Sequence, residues 1–241
     1  MAGPLEQFVI KPLIPIEING IDLSITQSSV WMGIGIIVAT LLTVVCMAPK
    51  AMVPGRWQNL PEMFYDFISG MVKDNLGAEG NKYFPLVFTI FMTILMGNLL
   101  GLLPYSFTYT SHIVVTGALA LMVFFLATLV GIARHGLHFF SLFMPAGLPM
   151  AIAPLIVVIE IVSYLSRPLS LSVRLFANMV AGHTMLKVFA GFSVSLGVIF
   201  GIVPMIFNVA LIGLELMIAF IQAYVFAILT CIYLKDAIEL H

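Results

Sequence analysis

The chain has 241 residues, of which 61% are hydrophobic and only 9% are charged, and its formal net charge is −1. Such a composition, with apolar runs longer than a bilayer requires, is typical of an integral membrane protein and excludes a separate soluble domain. The near-neutral charge excludes the basic surface of a nucleic-acid-binding protein. Cys46 and Cys231 lie in apolar segments without partner spacing, which argues against a disulfide framework or a metal site.

The spacing of apolar residues predicts an all-α integral membrane protein with five transmembrane helices and one interfacial helix. Residues 1–241 are expected to form a single membrane domain, in which residues 1–27 form an N-terminal segment outside. The predicted spans, in chain order, are 28–48, 83–103, 112–133, 155–192 and 203–234. Residues 51–82 alternate apolar and polar side chains at near-helical spacing, which favours a helix lying in the interface. Three prolines in 136–154 predict a re-entrant or interfacial turn.

The last two predicted spans are longer than the ~20 residues that cross a bilayer perpendicularly, so both are expected to be steeply tilted. The distribution of Lys and Arg predicts the orientation, because positively charged connections stay inside. The connection at 104–111 contains no basic residue, whereas the first connection contains four: Lys50, Arg56, Lys73 and Lys82. The N-terminus is therefore predicted outside and the C-terminus inside.

Arg174 lies near the middle of the fourth predicted span. A guanidinium cannot lose its charge in a protein. Holding that charge near the bilayer centre costs roughly 3 to more than 10 kcal/mol. This cost must be offset by a carboxylate partner, by water, or by a function that requires a fixed positive charge. Arg174 is therefore predicted to be functional.

A polar stripe is predicted along the helix that carries Arg174. Glu160, Arg167 and Arg174 recur every seven residues and drift only about 20° per step around a helix, so they share one face. Ser170 and Asn178 fall on or beside this face. The stripe is expected to form a polar track from the inner end of the helix to its middle. Arg167 has a second interpretation, as an anchor that pairs with Glu160 and reaches the membrane surface.

A second polar region is predicted nearer the outer surface. His183 follows Arg174 by nine residues, which is about half a turn around the helix and ~13.5 Å further outward. Antiparallel packing of the last two spans brings Glu215 to the level of His183 and Gln222 to the level of Arg174. Arg174 then separates an outward-open from an inward-open polar region. A structural histidine and a simple cross-helix hydrogen bond from Gln222 stay open as alternatives.

Three runs of sequence resemble subunit a of the F-type ATP synthase, and the resemblance covers nearly the whole chain. They are GNLLGLLPYSFTYTSHIVVT, SRPLSLSVRLFANMVAGHTML and GLELMIAFIQAYVFAILTCIYLKDA. The resemblance implies a non-catalytic, proton-conducting stator subunit that couples proton translocation to rotation of a ring of c subunits and to ATP synthesis, with nucleotide chemistry on other subunits. It implies a multi-pass protein of a bacterial inner (plasma) membrane or a mitochondrial inner membrane. The implied partners are the c-ring, peripheral-stalk b subunits, the rest of the ATP synthase, the lipid bilayer and protons, without a cofactor.

The resemblance also implies roles for individual residues. Arg174 matches the essential arginine that faces the carboxylates of the ring. Asn178 and Gln222 match polar neighbours at that contact. The arrangement is closer to mitochondrial and alphaproteobacterial members than to some bacterial members, in which the acid and the histidine of the inlet are exchanged.

Two half-channels follow from the same resemblance. His183 and Glu215 match the inlet pair, while Glu160 and Ser170 match positions of the half-channel on the catalytic-head side. Some bacterial members carry an acid at the position that matches Gly101, so an acid there is not required in this chain.

Two other classes of membrane protein would need sequence features that differ from these. A secondary cation or proton transporter is the alternative function, and it usually has inverted repeats with paired broken helices. The sequence contains no such repeat. A lipid transferase needs a cluster of acids or a metal constellation at the interface, and the acidic residues outside the spans form no such set.

Overall fold

The computed structural model describes residues 8–15, 17–18, 21–22, 24–47, 55–103, 106–136, 138–139 and 153–239. Within these ranges the chain forms seven α-helices, in the order α1 Gln27–Cys46, α2 Arg56–Leu76, α3 Gly80–Gly101, α4 Ile113–His135, α5 Ala153–Ser195, α6 Gly197–Phe200 and α7 Ile202–Ile238. Five stretches are long and apolar enough to cross a membrane. The prediction of an all-α membrane fold is confirmed. The turn predicted for 136–154 lies almost entirely outside the described residues.

Short strands precede α1, in the segment 1–27 that the sequence analysis predicted to lie outside. Strand β1 (Pro12–Ile14) pairs antiparallel with β4 (Ile25–Thr26), and β2 (Glu17–Ile18) pairs with β3 (Ile21–Asp22). The helix begins directly afterwards with a capping box, in which Thr26 and Ser29 exchange side-chain and backbone hydrogen bonds. These bonds satisfy amide groups that the first turn of a helix leaves without partners.

The helix α2 is amphipathic and packs along α3. Ile68, Met71 and Val72 are buried on one face, whereas Trp57 is 79% exposed. The helix ends at Gly77, whose φ of +60° lies in the left-handed region that favours glycine. A 3₁₀ turn at Gly77–Glu79 then leads into α3. The position of α2 in the membrane interface remains a prediction.

Much of α3 is buried, and the helix contacts α1, α2 and α7. Its buried side chains meet small and aromatic residues of α7 in one hydrophobic core. The largest members of this core include Phe91, Ile94, Leu95 and Phe226. Close packing around small residues is typical of membrane helices, because lipid supplies no hydrophobic drive for helix association.

The long helices α5 and α7 have 43 and 37 residues. At 1.5 Å per residue they measure roughly 65 and 55 Å, whereas the hydrocarbon core of a bilayer is about 30 Å thick. This excess length is the basis for the expected tilt, which remains a prediction.

The connection between α3 and α4 folds back into the bundle. We call its residues 106–112 the outer wedge, because the distribution of Lys and Arg predicts this connection outside. Within it Phe107, Thr108, Tyr109, Thr110 and Ser111 are all buried. The Tyr109 hydroxyl donates a 2.8 Å hydrogen bond to the carbonyl of Thr93, about two turns inside the end of α3. The outer wedge also contacts α5.

Candidate functional site

Three polar contacts set the register between α5 and α7. In the order of residue numbers along α5, they are Arg167 with Asp236, Asn178 with Gln222, and His183 with Glu215. Residue numbers rise along α5 and fall along α7, so the helices are antiparallel. The expected pairing of Glu215 with His183 is found, and Gln222 lies opposite Asn178, one turn beyond Arg174.

The last of these contacts along α5 is the pair of His183 and Glu215. The His183 Nδ1 lies 3.5 Å from Oε1 of Glu215, and the two side chains are 11% and 2% exposed. Neither carboxyl oxygen of Glu215 has a hydrogen-bond partner among the described residues. Gly182 makes this approach possible, because a Cβ at that position would lie 2.6 Å from the same Oε1.

The other ring nitrogen of His183 contacts the outer wedge. The Oγ1 of Thr108 lies 2.9 Å from Nε2 and also donates to the carbonyl of Gly101 at 3.3 Å. A Cβ at Gly101 would overlap the side chain of Thr108. Sequence reasoning missed Thr108, which is 75 residues from His183 along the chain.

The middle contact is a hydrogen bond between two amides. The Nδ2 of Asn178 donates to Oε1 of Gln222 at 2.9 Å. Gln222 is only 3% exposed, and its Nε2 has no hydrogen-bond partner among the described residues. Neither of its two N–H groups therefore donates to a described residue.

Arg174 lies in the middle of α5 and is exposed on the outside of the bundle. The adjoining face of the helix is buried through Leu171, Leu175 and Met179. No hydrogen bond or ion pair joins the guanidinium to another residue in the described part of the chain. The positive charge of Arg174 therefore faces away from the helix bundle.

Arg167 joins the N-terminal half of α5 to α7. Its Nη1 lies 2.8 Å from Oδ2 of Asp236 on α7, and the guanidinium lies 5.5 Å from the ring centroids of both Tyr164 and Tyr233. Asp236, rather than the Glu160 considered in the sequence analysis, is therefore the partner of Arg167.

The two residues matched to the outlet are not joined to these contacts. Glu160 is half-buried and Ser170 is exposed. No ion pair or side-chain hydrogen bond of either residue is present within the described ranges. Among those residues, no group of three or more His, Cys, Asp or Glu is arranged to hold a metal ion.

Comparison with known proteins identifies the family to which this chain belongs. Residues 29–235 match the family model described as ATP synthase A chain. The chain belongs to this family. It is 53% identical over 241 residues to ATP synthase subunit a of Rhodospirillum rubrum, with 100% of both chains covered. It is 52% identical to the same subunit of Paramagnetospirillum magneticum, again with complete coverage of both, and 52% identical to that of Parvibaculum lavamentivorans, with 98% and 93% covered.

The resemblance found in the sequence is confirmed by these matches. Membership of the family makes the chain a membrane-sector subunit rather than a catalytic one, and associates it with ATP synthesis and proton transport. The relatives named above are alphaproteobacterial, which agrees with the subgroup that the inlet residues indicated.

Proposed function

We propose that this chain is the proton-conducting stator subunit of an F-type ATP synthase, and that Arg174 faces the carboxylates of a c-ring. The exposure of Arg174 is the observation that carries this proposal. A guanidinium facing lipid at mid-depth costs roughly 3 to more than 10 kcal/mol, and a partner that presents carboxylates offsets this cost. A ring of c subunits supplies one carboxylate after another as it turns.

Protons enter through the pair of His183 and Glu215. Both side chains are mostly buried, both can hold a proton, and they lie outward of Arg174 on the predicted topology. A proton that passes this pair neutralises a ring carboxylate, and the neutral carboxyl group can then move into lipid. Gln222, with its available Nε2–H, and Asn178 lie between the pair and Arg174 and orient the approaching carboxyl group.

Protons leave on the inner side after nearly a full turn of the ring. The positive charge of Arg174 favours the ionised form of the returning carboxyl group, since an opposite charge within a few ångströms stabilises it. The released proton passes along Glu160 and Ser170. The same charge repels protons and so prevents direct leakage between the two half-channels.

Rotation sums the energy of several proton crossings. One charge that crosses 100 mV releases about 2.3 kcal/mol, so several crossings are required for each ATP. Nucleotide chemistry takes place on other subunits of the synthase, and peripheral-stalk b subunits hold this chain against the torque. The location is a bacterial inner membrane or its mitochondrial counterpart, with the N-terminus outside and the C-terminus on the side of the catalytic head.

Substitution of Arg174 tests the proposal in membrane vesicles that contain the assembled synthase. We expect Arg174→Ala and Arg174→Lys both to abolish proton-driven ATP synthesis, while the detached catalytic head still hydrolyses ATP. Lysine fails because an ammonium covered by the c-ring can lose its proton and lacks the planar fork of a guanidinium. Arg56→Ala is the control, since this exposed arginine begins α2. Wild-type synthesis in the Arg174→Lys variant would contradict the proposed role.

A further inference from the structure

We propose that Thr108 sets the tautomer of His183, so that Nδ1 is the atom that exchanges a proton with Glu215. This inference rests on the proposed inlet role of His183 and Glu215. It makes Thr108 a positioning residue, which acts on protons only through the imidazole.

The hydrogen-bond donors around Thr108 determine the tautomer. A threonine hydroxyl has a single hydrogen to donate, and a backbone carbonyl can only accept. The Oγ1 of Thr108 contacts both the carbonyl oxygen of Gly101, at 3.3 Å, and Nε2 of His183, at 2.9 Å. Both contacts are hydrogen bonds only if the hydroxyl donates to Gly101 and accepts from Nε2–H. Neutral His183 therefore carries its hydrogen on Nε2 and a lone pair on Nδ1.

The lone pair then faces the acid. Nδ1 lies 3.5 Å from Oε1 of Glu215, and both carboxyl oxygens lack hydrogen-bond partners among the described residues. When the O–H bond of a protonated Glu215 breaks and an Nδ1–H bond forms, the products are an imidazolium and a carboxylate. In the imidazolium both nitrogens donate, so Nε2 keeps its bond to Thr108 and only Nδ1 changes.

Two hydrogen bonds that do not involve His183 hold the backbone around Thr108. The Ser111 hydroxyl donates to the carbonyl of Thr108 at 2.6 Å, and the Tyr109 hydroxyl anchors the outer wedge to α3. Gly101 leaves room for the side chain, since a Cβ there would overlap it. A partner fixed in this way holds the orientation of the ring as well as its tautomer.

The test combines proton flux with a direct measurement of the tautomer. Flux is measured in vesicles with the assembled synthase carrying Thr108→Val, which replaces the hydroxyl by a methyl group, and Thr108→Ser, which keeps it. We expect a loss of roughly tenfold for valine, the scale of one buried hydrogen bond, and near wild-type flux for serine. Thr230→Val is the matched control, because the one side-chain bond of this buried threonine to a described residue goes to the carbonyl of Phe226 on its own helix.

Nitrogen-15 NMR of histidine-labelled synthase reports the tautomer, with the His183→Gln variant identifying the signals of His183. We expect neutral His183 to carry hydrogen on Nε2 in the wild type and a mixture of tautomers in Thr108→Val. Hydrogen on Nδ1 in the wild type would overturn the inference, as would full flux in Thr108→Val or a serine variant as impaired as valine. Full flux in His183→Gln would instead refute the inlet role itself.

Discussion

Exchanging the two members of the inlet pair is the most specific test of their coupling. His183→Glu alone places two carboxyl groups next to each other, and Glu215→His alone places two imidazoles there. The double exchange restores one acid and one histidine in reversed order. If the pair acts as one unit, each single variant loses proton flux and the double variant recovers more than the two losses predict.

The distance within the pair gives the size of the charge repulsion in the His183→Glu variant. Two negative charges separated by the 3.5 Å that now joins Nδ1 of His183 to Oε1 of Glu215 repel by about 5 kcal/mol at an effective dielectric constant near 20. The side chains are 11% and 2% exposed, so dissolved salt screens this repulsion weakly. Ionisation of both carboxyl groups in His183→Glu is therefore strongly opposed. In Glu215→His, neither imidazole has a carboxylate to stabilise its charged form.

Proton flux into membrane vesicles is measured for the wild type, both single variants and the double variant. Equal amounts of assembled c-ring and catalytic head in all four preparations are required for the comparison. We expect each single variant to lose at least about tenfold in flux, and the double variant to regain a coupling energy of about 1–3 kcal/mol. Purely additive losses would show that the two residues do not share one inlet.

Three further predictions concern packing and topology. Gly97→Ala should destabilise the assembled protein by about 1–3 kcal/mol, because a Cβ there would overlap the hydroxyl of Tyr109. Gly33→Ala should be neutral, because nothing lies within 4 Å of a Cβ at that position. Thermal unfolding measures the stability of both variants. Asp236→Asn should lower stability by about 1 kcal/mol or less, because its ion pair with Arg167 is partly exposed, and a larger drop in the unfolding midpoint would contradict this. Cysteines introduced at the two chain ends should react with impermeant reagents from opposite sides of the membrane, and labelling from one side would exclude five spans.

Much of the candidate site was predictable because helical periodicity reports which residues share a face. The seven-residue spacing of Glu215 and Gln222 aligns them on α7, and antiparallel packing then brings them to His183 and Asn178. Composition predicted a membrane protein, and apolar runs of about 20 residues or more predicted helices rather than the short strands of a barrel.

The partner of Arg167 shows where periodicity misleads. Residues seven apart share a face but are separated by about 10.5 Å along the axis, whereas helix neighbours that touch are three or four residues apart. Glu160 is thus too far along α5 for a direct ion pair, while the antiparallel register places Asp236 of α7 opposite Arg167. Identifying Asp236 required the register of two helices, which the pattern within one helix does not contain.

The contact between Thr108 and His183 was not predicted, for a different reason. The outer wedge has no periodic pattern, and its path depends on the fit of Tyr109 against Gly97 and Gly35. Small residues in a membrane helix predict close packing, yet they do not identify the side chain that packs there. The only sequence signal was the cluster of hydroxyl residues between two spans, which is also an ordinary composition for an exposed connection.

Gly101 connects these observations to the comparison with other members of the family. Some bacterial members carry an acid at the matching position, together with an exchanged inlet pair. In this chain a Cβ at Gly101 would overlap Thr108, whose hydroxyl contacts Nε2 of His183. An acid at this position and a threonine in the outer wedge therefore compete for one volume beside the inlet. A histidine on α5 needs an acceptor for its second nitrogen, and the Thr108 hydroxyl supplies one without adding a second negative charge close to Glu215.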